Sequence, residues 1–210
     1  MLKGENLCFR YRKDLPWIVR EFSIEVARGE IVGLSGPSGF GKTTLGKLLA
    51  GYLQPSAGSV TVDGKPLTMR GYCPVQLIFQ LPELAIAPRW RIARVLNEGQ
   101  SPEPELLRAL NIDKSWLSRW PHELSSGELQ RVAVARALGS RTRYLIADEM
   151  TAMLDANTQA LIWSAVIDYA KQTELGILAI SHDAALLQRL CHRIVGLTNR
   201  HCQVNEGDGR

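Results

Sequence analysis

Long hydrophobic runs are missing from this sequence of 210 residues. A helix that crosses a bilayer needs roughly 20 consecutive apolar residues, and no segment of the chain approaches that length. Residues 1–14, MLKGENLCFRYRKD, also lack the apolar core of a signal peptide. We therefore expect that the chain does not span a membrane and that any work at a membrane needs another chain to bring it there.

Cysteine is scarce, and its spacing shows no metal or redox motif. The chain has 4 cysteines, at positions 8, 73, 191 and 202, and none forms a C-x-x-C pair. With 45% hydrophobic residues, a chain of this length can bury a core and does not need disulfides to fold. We therefore expect reduced thiols and a cytosolic protein.

A concentrated patch of positive charge is missing as well. The net charge is +4 and is spread along the chain. The densest group, Arg89, Arg91 and Arg94, is followed closely by acidic residues. Since a nucleic-acid-binding face would show clustered lysine and arginine, we expect no nucleic-acid partner. The length predicts one domain, residues 1–210.

The short apolar segments that are present predict an α/β fold. Runs at 144–147 and 177–180 are typical of strands buried on both faces of a parallel sheet, and a predicted helix between them supplies the crossover. The dipeptide Asp63-Gly64 indicates a hairpin turn. The other predicted strands are 7–11, 22–26, 31–34, 59–62 and 75–79; the predicted helices are 44–50, 127–138 and 157–169, with helical patterns around 92–98 and 104–110. Residues 199–210 are expected to be frayed.

A glycine-rich loop follows the strand predicted at 31–34. Its sequence matches the phosphate-binding pattern G-x-x-x-x-G-K-[ST] in full. The matching residues are Gly36, Pro37, Ser38, Gly39, Phe40, Gly41, Lys42 and Thr43, with Thr44 next in the helix. Backbone N–H groups of such a loop converge on phosphates, a lysine reaches the outer ones, and a hydroxyl holds Mg²⁺. A chance glycine turn is the alternative, but the strand before the loop and the helix after it disfavour that reading.

Two acidic residues follow the strand predicted at 144–147. Carboxylates at the C-terminal end of a parallel strand meet the ligand crevice of the sheet. Asp148 is therefore predicted to hold Mg²⁺, and Glu149 to polarise the attacking water as general base. His182, just after the strand at 177–180, is predicted to contact the γ-phosphate. The alternative is that Asp148 and Glu149 are simply surface acids and that His182 is a surface histidine. The phosphate loop earlier in the chain disfavours this alternative.

The segment Leu124-Ser125-Ser126-Gly127-Glu128, followed by LQRVAVARAL, strongly resembles the signature motif of ATP-binding-cassette (ABC) ATPases, L-S-G-G-Q. The resemblance extends from about Leu2 to Leu197. It implies a P-loop NTPase (RecA-like) core, an N-terminal antiparallel β-subdomain, and a helical signature subdomain at about 81–138. It also implies that the signature closes over ATP held by a second ABC ATPase subunit.

Three further positions take their predicted roles from this resemblance. Gln80 resembles the glutamine of the loop that links the ATP core to the helical subdomain, with a role in catalysis and in holding Mg²⁺. Asp155 resembles the acid of the loop through which the two subunits communicate. Tyr11 matches the aromatic residue that stacks on adenine, although a tyrosine at a strand end is often simply packed.

Several phrases are similar to the peptide/nickel importer branch of the family, among them VQLIFQ at 75–80 and APR at 87–89. This similarity implies import of peptides, nickel or metal–metallophore complexes, with permease subunits in the membrane and, indirectly, a substrate-binding protein. It also implies a location on the cytoplasmic face of the cell membrane. A soluble ABC ATPase acting on nucleic acid or ribosomes, and a weakly catalytic regulatory ATP-binding module, are the alternatives.

The signature departs from the family pattern at two positions. Ser126 replaces the usual second glycine, and Glu128 replaces the usual glutamine. A carboxylate in the first turn of a helix suits the helix dipole, but it also sets a negative charge near the phosphates of a partner. These departures predict the weaker of two signatures in a heterodimer.

Overall fold

Two sheets of different strand direction organise the computed structural model, which describes residues 1–68 and 71–198. Within these ranges an antiparallel sheet has the order β2-β1-β4-β5, and a parallel sheet has the order β6-β7-β8-β3-β9. The strands are β1 (Leu2–Phe9), β2 (Val19–Val26), β3 (Ile31–Ser35), β4 (Ala57–Val62), β5 (Lys65–Pro66), β6 (Val75–Ile78), β7 (Tyr144–Asp148), β8 (Gly176–Ile180) and β9 (Arg193–Gly196). Cys202 and the C-terminal residues predicted to fray lie outside the described ranges.

Helices pack on both faces of the parallel sheet and fill the segment between β6 and β7. They are α1 (Lys42–Leu49), α2 (Ile92–Leu96), α3 (Pro104–Ala109), α4 (Ser126–Ala137), α5 (Ala156–Thr173) and α6 (Ala184–Leu190), with 3-10 turns at Pro82–Leu84, Lys114–Ser118 and Pro121–Glu123. The predicted α/β architecture is confirmed. The helix predicted at 157–169 is longer in the structure, because α5 continues to Thr173 before Glu174 adopts a left-handed conformation.

The antiparallel sheet follows from side-chain alternation and a two-residue turn. In β2, Phe22, Ile24 and Val26 are buried and the residues between them face outward. Asp63 and Gly64 have φ angles of 51° and 76°, as a hairpin turn of the primed type requires. They join β4 to β5, with Val62 paired to Lys65, so the predicted hairpin is confirmed.

The strand predicted at residues 7–11 is wrong at both ends. β1 begins at Leu2 and ends at Phe9, which leaves Tyr11 beyond the sheet. β1 contains Gly4 and Asn6, residues with little intrinsic strand preference. Gly4 is extended because it pairs with Ile24 of β2 and with Val60 of β4. Asn6 has a φ angle of 47° and lies where the register of both pairings shifts. The start of β1 at Leu2 is thus a tertiary effect that the local sequence does not show.

The parallel sheet gathers four chain segments at one edge. All five residues of β7 and of β8 are buried, and the two strands pair in parallel, with Leu145 opposite Ile177. In a parallel sheet the C-terminal ends of the strands point the same way. The segments that follow β3, β6, β7 and β8 therefore meet at that edge, and they contain the loop, glutamine, acidic pair and histidine singled out above.

Among the described residues, no helix combines the length and hydrophobicity needed to cross a bilayer.

Candidate active site

The glycine-rich loop connects β3 to α1 in a conformation that depends on glycine. Gly39 and Gly41 have φ angles of 83° and 85°, in the left-handed region that side chains disfavour. A Cβ at Gly41 would also lie 2.7 Å from Cγ2 of Ile18 and 2.9 Å from its carbonyl oxygen. This glycine is therefore required both by the backbone angle and by the close approach of the residue preceding β2.

Lys42 is held inside the loop. Its side chain is buried, with 7% relative exposure, and its Nζ donates hydrogen bonds to the carbonyls of Gly36 at 2.7 Å and Pro37 at 3.0 Å. An ammonium group in this position can exchange carbonyl oxygens for phosphate oxygens with little movement. This position of Lys42 is compatible with the predicted contact between its ammonium group and the outer phosphates.

One cleft of about 350 Å³ brings several predicted site residues together. Gln80 reaches it from the segment after β6, and Glu149 from the end of β7. Ile18 also lines the cleft, although sequence reasoning did not single it out. The predicted residues that line it are Ser38, Gly39, Gly41, Lys42, Thr43, Thr44, Gln80 and Glu149.

Asp148 adjoins this cleft through a hydrogen bond with the side chain of Thr43. It is buried, with 4% relative exposure, and burial is the main reason that its pKa is raised. A hydrogen bond with the Thr43 side chain acts in the opposite direction, and the charge of Glu149 adds to the rise. Hydroxyl, carboxylate and amide oxygens from Thr43, Asp148 and Gln80 are the donors that Mg²⁺ prefers, so the residues present fit the predicted ion.

Glu149 and His182 face each other at the ends of β7 and β8. Oε1 of Glu149 lies 3.3 Å from Nδ1 of His182. Glu149 has a φ angle of 49°, a conformation that costs a non-glycine residue about 1–2 kcal/mol. Its amide donates to the carbonyl of Ile180 at 3.0 Å, which holds this backbone in place. A strained acidic residue beside a histidine is typical of an active site.

The signature residues form the N-terminus of α4, away from the residues that line the cleft. Ser125 caps this helix: its hydroxyl accepts from the Glu128 amide at 3.3 Å, while the Glu128 carboxylate accepts from the Ser125 amide at 2.8 Å. This reciprocal pair is a capping box. The Glu128 carboxylate is thus engaged within its own helix. The expectation that its charge lies near a partner's phosphates stays a prediction. Ser126 is exposed beside it.

Asp155 and Tyr11 have local contacts of their own in this structure. Asp155 caps α5, accepting from the amides of Asn157 and Thr158, both at 3.0 Å. A hydrogen bond from the Thr158 hydroxyl is the main cause that lowers its pKa. Tyr11 is 56% exposed and meets the Phe9 ring edge-on, with centroids 5.0 Å apart. It does not line the cleft as the described residues define it, so its adenine-stacking role stays a prediction.

Gly127 offers a test of the signature that separates folding from function. A Cβ at this position would lie 3.4 Å from Cγ2 of Thr158 and 3.8 Å from Cδ2 of Leu154, which are ordinary contacts. We expect Gly127→Ala to keep or raise the melting temperature, since alanine favours helix by up to about 1 kcal/mol. We expect ATP turnover to fall about 10-fold, as for the loss of one hydrogen bond to a charged group.

Gly176→Ala is the matched control for this substitution, because a Cβ there would lie 2.5 Å from the carbonyl oxygen of Ala27. That variant should melt at a lower temperature. Two results would contradict a role of Gly127 in contacting ATP held by a second subunit. One is a melting temperature of Gly127→Ala as low as that of Gly176→Ala, and the other is full ATP turnover of Gly127→Ala.

Known proteins share this arrangement over most of the chain. The family model described as "ABC transporter" matches residues 19–152. A Brucella ovis protein provisionally named a peptide import ATP-binding protein is 32% identical over 93% of this chain and 68% of its own length. A Brucella abortus protein with the same name is 34% identical over 85% of this chain and 60% of its own length.

Solved structures agree with the fold. An ABC transporter cassette described as dimeric superposes with a TM-score of 0.79 at 21% identity, covering 97% of both chains. A subunit from Clostridium perfringens, described as part of an ABC transporter complex, superposes with a TM-score of 0.76 at 25% identity, covering 97% of this chain and 86% of that chain. The phosphate loop, the acidic pair and the sequence match agree: the chain belongs to the ABC transporter family and is its ATP-binding, ATP-hydrolysing cassette.

Proposed function

We propose that this cassette powers the import of peptides across the cell membrane, from its cytoplasmic face and as one of two paired ATPase subunits. The observation that carries the substrate class is the match to the Brucella proteins, whose names refer to peptide import. The phrases VQLIFQ and APR in this sequence support the same branch. Nickel or a metal–metallophore complex is the second candidate, because that branch includes importers of both kinds.

Binding of ATP would use the loop and the cations around it. Ser38, Gly39, Gly41, Lys42 and Thr43 line the cleft at the start of α1, where backbone amides and the positive end of the helix dipole favour phosphate. Lys42 would move from the loop carbonyls to the outer phosphates. Thr43, Asp148 and Gln80 would hold Mg²⁺, which neutralises charge on the phosphates when bound.

Hydrolysis would depend on the pair at the ends of β7 and β8. Glu149 lines the cleft, so its carboxylate can accept the proton of a water molecule directed at the γ-phosphate. His182 lies within 3.3 Å of that carboxylate and is 67% exposed, which leaves it free to contact the γ-phosphate from the open side. The two residues would act on the same water and phosphate from adjacent strand ends.

A second subunit would complete the site. The signature at the start of α4 is exposed at Ser125 and Ser126 and does not contribute to the cleft described above. Small residues at the N-terminus of this 12-residue helix suit an anion supplied by another chain. The proposed dimer therefore places the signature of each subunit over the nucleotide of the other, so that Asp155 lies near the partner's site.

The surface around Gln80 supports docking to membrane subunits. Leu81, Leu84 and Tyr52 are 47%, 72% and 55% exposed, and Tyr52 packs edge-on against Phe79, just before Gln80. Large exposed apolar residues beside a site that senses nucleotide are suited to a protein partner. Permease subunits at this surface would receive the motion of the helical segment, with a substrate-binding protein acting on their outer side.

The test is purification of the chain with the membrane proteins that accompany it, followed by assay of ATP turnover in lipid. We expect integral membrane subunits to co-purify and a peptide-loaded binding protein to stimulate turnover. Stimulation by nickel or a metallophore complex instead would replace the substrate assignment. Co-purification of ribosomes or nucleic acid without membrane subunits would favour the soluble ABC ATPase. If the wild-type complex hydrolyses ATP no faster than the complex with Glu149→Gln, the regulatory ATP-binding module would be favoured.

A further inference from the structure

Gln130 is a fully buried polar side chain for which the site as described has no use. It lies in α4, with 1% relative exposure. Its Nε2 donates to the carbonyl of Phe79 at 3.4 Å, the residue just before Gln80. Its Oε1 has no donor among the residues that the structure describes. The Nε2 of this amide is thus hydrogen-bonded, whereas its Oε1 has no partner among the described residues.

Stability alone does not account for this glutamine. A buried amide oxygen without a donor has lost its hydrogen bonds to water without replacement, and the bond that Nε2 makes is long, at 3.4 Å. An apolar side chain of similar shape would fill the same space without that cost. Reversing the amide would bring Oε1 against the Phe79 carbonyl, two acceptors facing each other, so the observed orientation is the one that chemistry permits.

The contact lies at a junction between the signature helix and the nucleotide cleft. α4 starts with the signature and packs against β6 and the turn at Pro82–Leu84, on either side of Gln80. Arg136, near the other end of α4, donates to the carbonyl of Ala85 at 2.6 Å. The segment that carries Gln80 is therefore tied to α4 at both ends, by Gln130 before it and by Arg136 after it.

The other side of the same segment is tied to the phosphate-loop helix. The Phe79 ring meets Tyr52 edge-on, with centroids 5.6 Å apart, and Tyr52 follows the end of α1. The Phe79 backbone is thus held by α4, whereas its side chain is held next to α1. Any displacement of α4 relative to α1 acts on Phe79, and through the next peptide bond on Gln80.

We propose that Gln130 is a positioning residue for Gln80, and that its hydrogen bond to the Phe79 carbonyl transmits the position of the signature helix to the nucleotide cleft. This rests on the action of Gln80 at the nucleotide, as proposed above. Gln130 touches neither nucleotide nor metal in this role. It fixes the position of the Gln80 side chain through the backbone of Phe79.

The experiment is a double-mutant cycle on the full chain, with Gln130→Met, Gln80→Ala and their combination. We expect Gln130→Met to melt at the same or a higher temperature and to lose about 10-fold in kcat, since small misplacements of a reacting group have effects of this size or larger. KM for ATP should change by less than about twofold, because the phosphate loop is unaltered. The combined variant should be no slower than Gln80→Ala alone, since residues that act through one another are not additive.

Tyr169→Phe is the matched control. Tyr169 is the other residue whose buried side-chain oxygen lacks a partner among the described residues, and burial raises its pKa to about 12. Its change to phenylalanine should leave kcat and KM alone. Gln130→Leu takes the place of the methionine variant if that variant does not accumulate.

The outcomes separate the two proposals. Multiplied losses in the double variant, or an unchanged kcat for Gln130→Met when Gln80→Ala is impaired, would overturn the role of Gln130 and leave that of Gln80 intact. An unchanged kcat for Gln80→Ala would overturn both, because there would be no function left to position.

Discussion

Glu149→Gln is expected to lower ATP turnover by about 10²- to 10⁴-fold, the range that a positioned general base contributes. The amide keeps the size of the carboxylate and can adopt the same left-handed backbone, but it cannot accept a proton from water. ATP binding should persist, since the phosphate loop does not depend on this side chain. Release of phosphate from ATP and equilibrium binding of a fluorescent ATP analogue measure the two properties separately.

Glu174→Gln is the matched control, because Glu174 is also a glutamate with a left-handed backbone, at φ 55°, but at the end of α5. It should retain turnover. A Glu149→Gln variant with more than about a tenth of wild-type turnover would contradict the role of general base. Equal losses in both variants would instead indicate that turnover does not depend on the position of the Glu149 carboxylate in the cleft.

The contiguous parts of the site could be predicted from the sequence because their geometry is local. Residues 36–43 form one loop between a strand and a helix, and the pattern of glycine and lysine specifies its conformation. Asp148 and Glu149 end a strand whose apolar run is plain in the sequence, and parallel pairing then brings them to the edge where the loop lies. No knowledge of distant contacts is needed for these positions.

Ile18 could not be predicted, since its approach to Gly41 depends on how β2 pairs with β1 and on the path of the irregular segment before it. The start of β1 at Leu2 has the same origin, because pairing on both sides extends Leu2, Lys3 and Gly4. Gln130 shows no local pattern either: a glutamine within an amphipathic helix looks like a surface residue, whereas packing of α4 on β6 buries it.

Glu128 is different, because the sequence contained the pattern that explains it. A serine followed three residues later by glutamate, at the start of a helix, indicates a capping box. Ser125 and Glu128 fit that pattern, and the structure places the carboxylate on the Ser125 amide. Any effect of Glu128 on a partner's nucleotide would therefore compete with its role at the helix end.

Lys42→Met is expected to weaken ATP binding by about 10- to 100-fold, since one hydrogen bond to a charged group contributes about 1.5–3 kcal/mol. Turnover at low ATP should fall by at least as much. Lys47→Met is the matched control, because Lys47 lies on the same helix, carries the same charge and also acts to lower the pKa of Asp148. Of the two lysines, it is Lys42 whose side chain donates to the loop carbonyls of Gly36 and Pro37. Calorimetric titration with ATP should therefore separate the two variants; equal losses would show that binding responds to the total positive charge near Asp148 and that the position of Lys42 in the loop is unimportant.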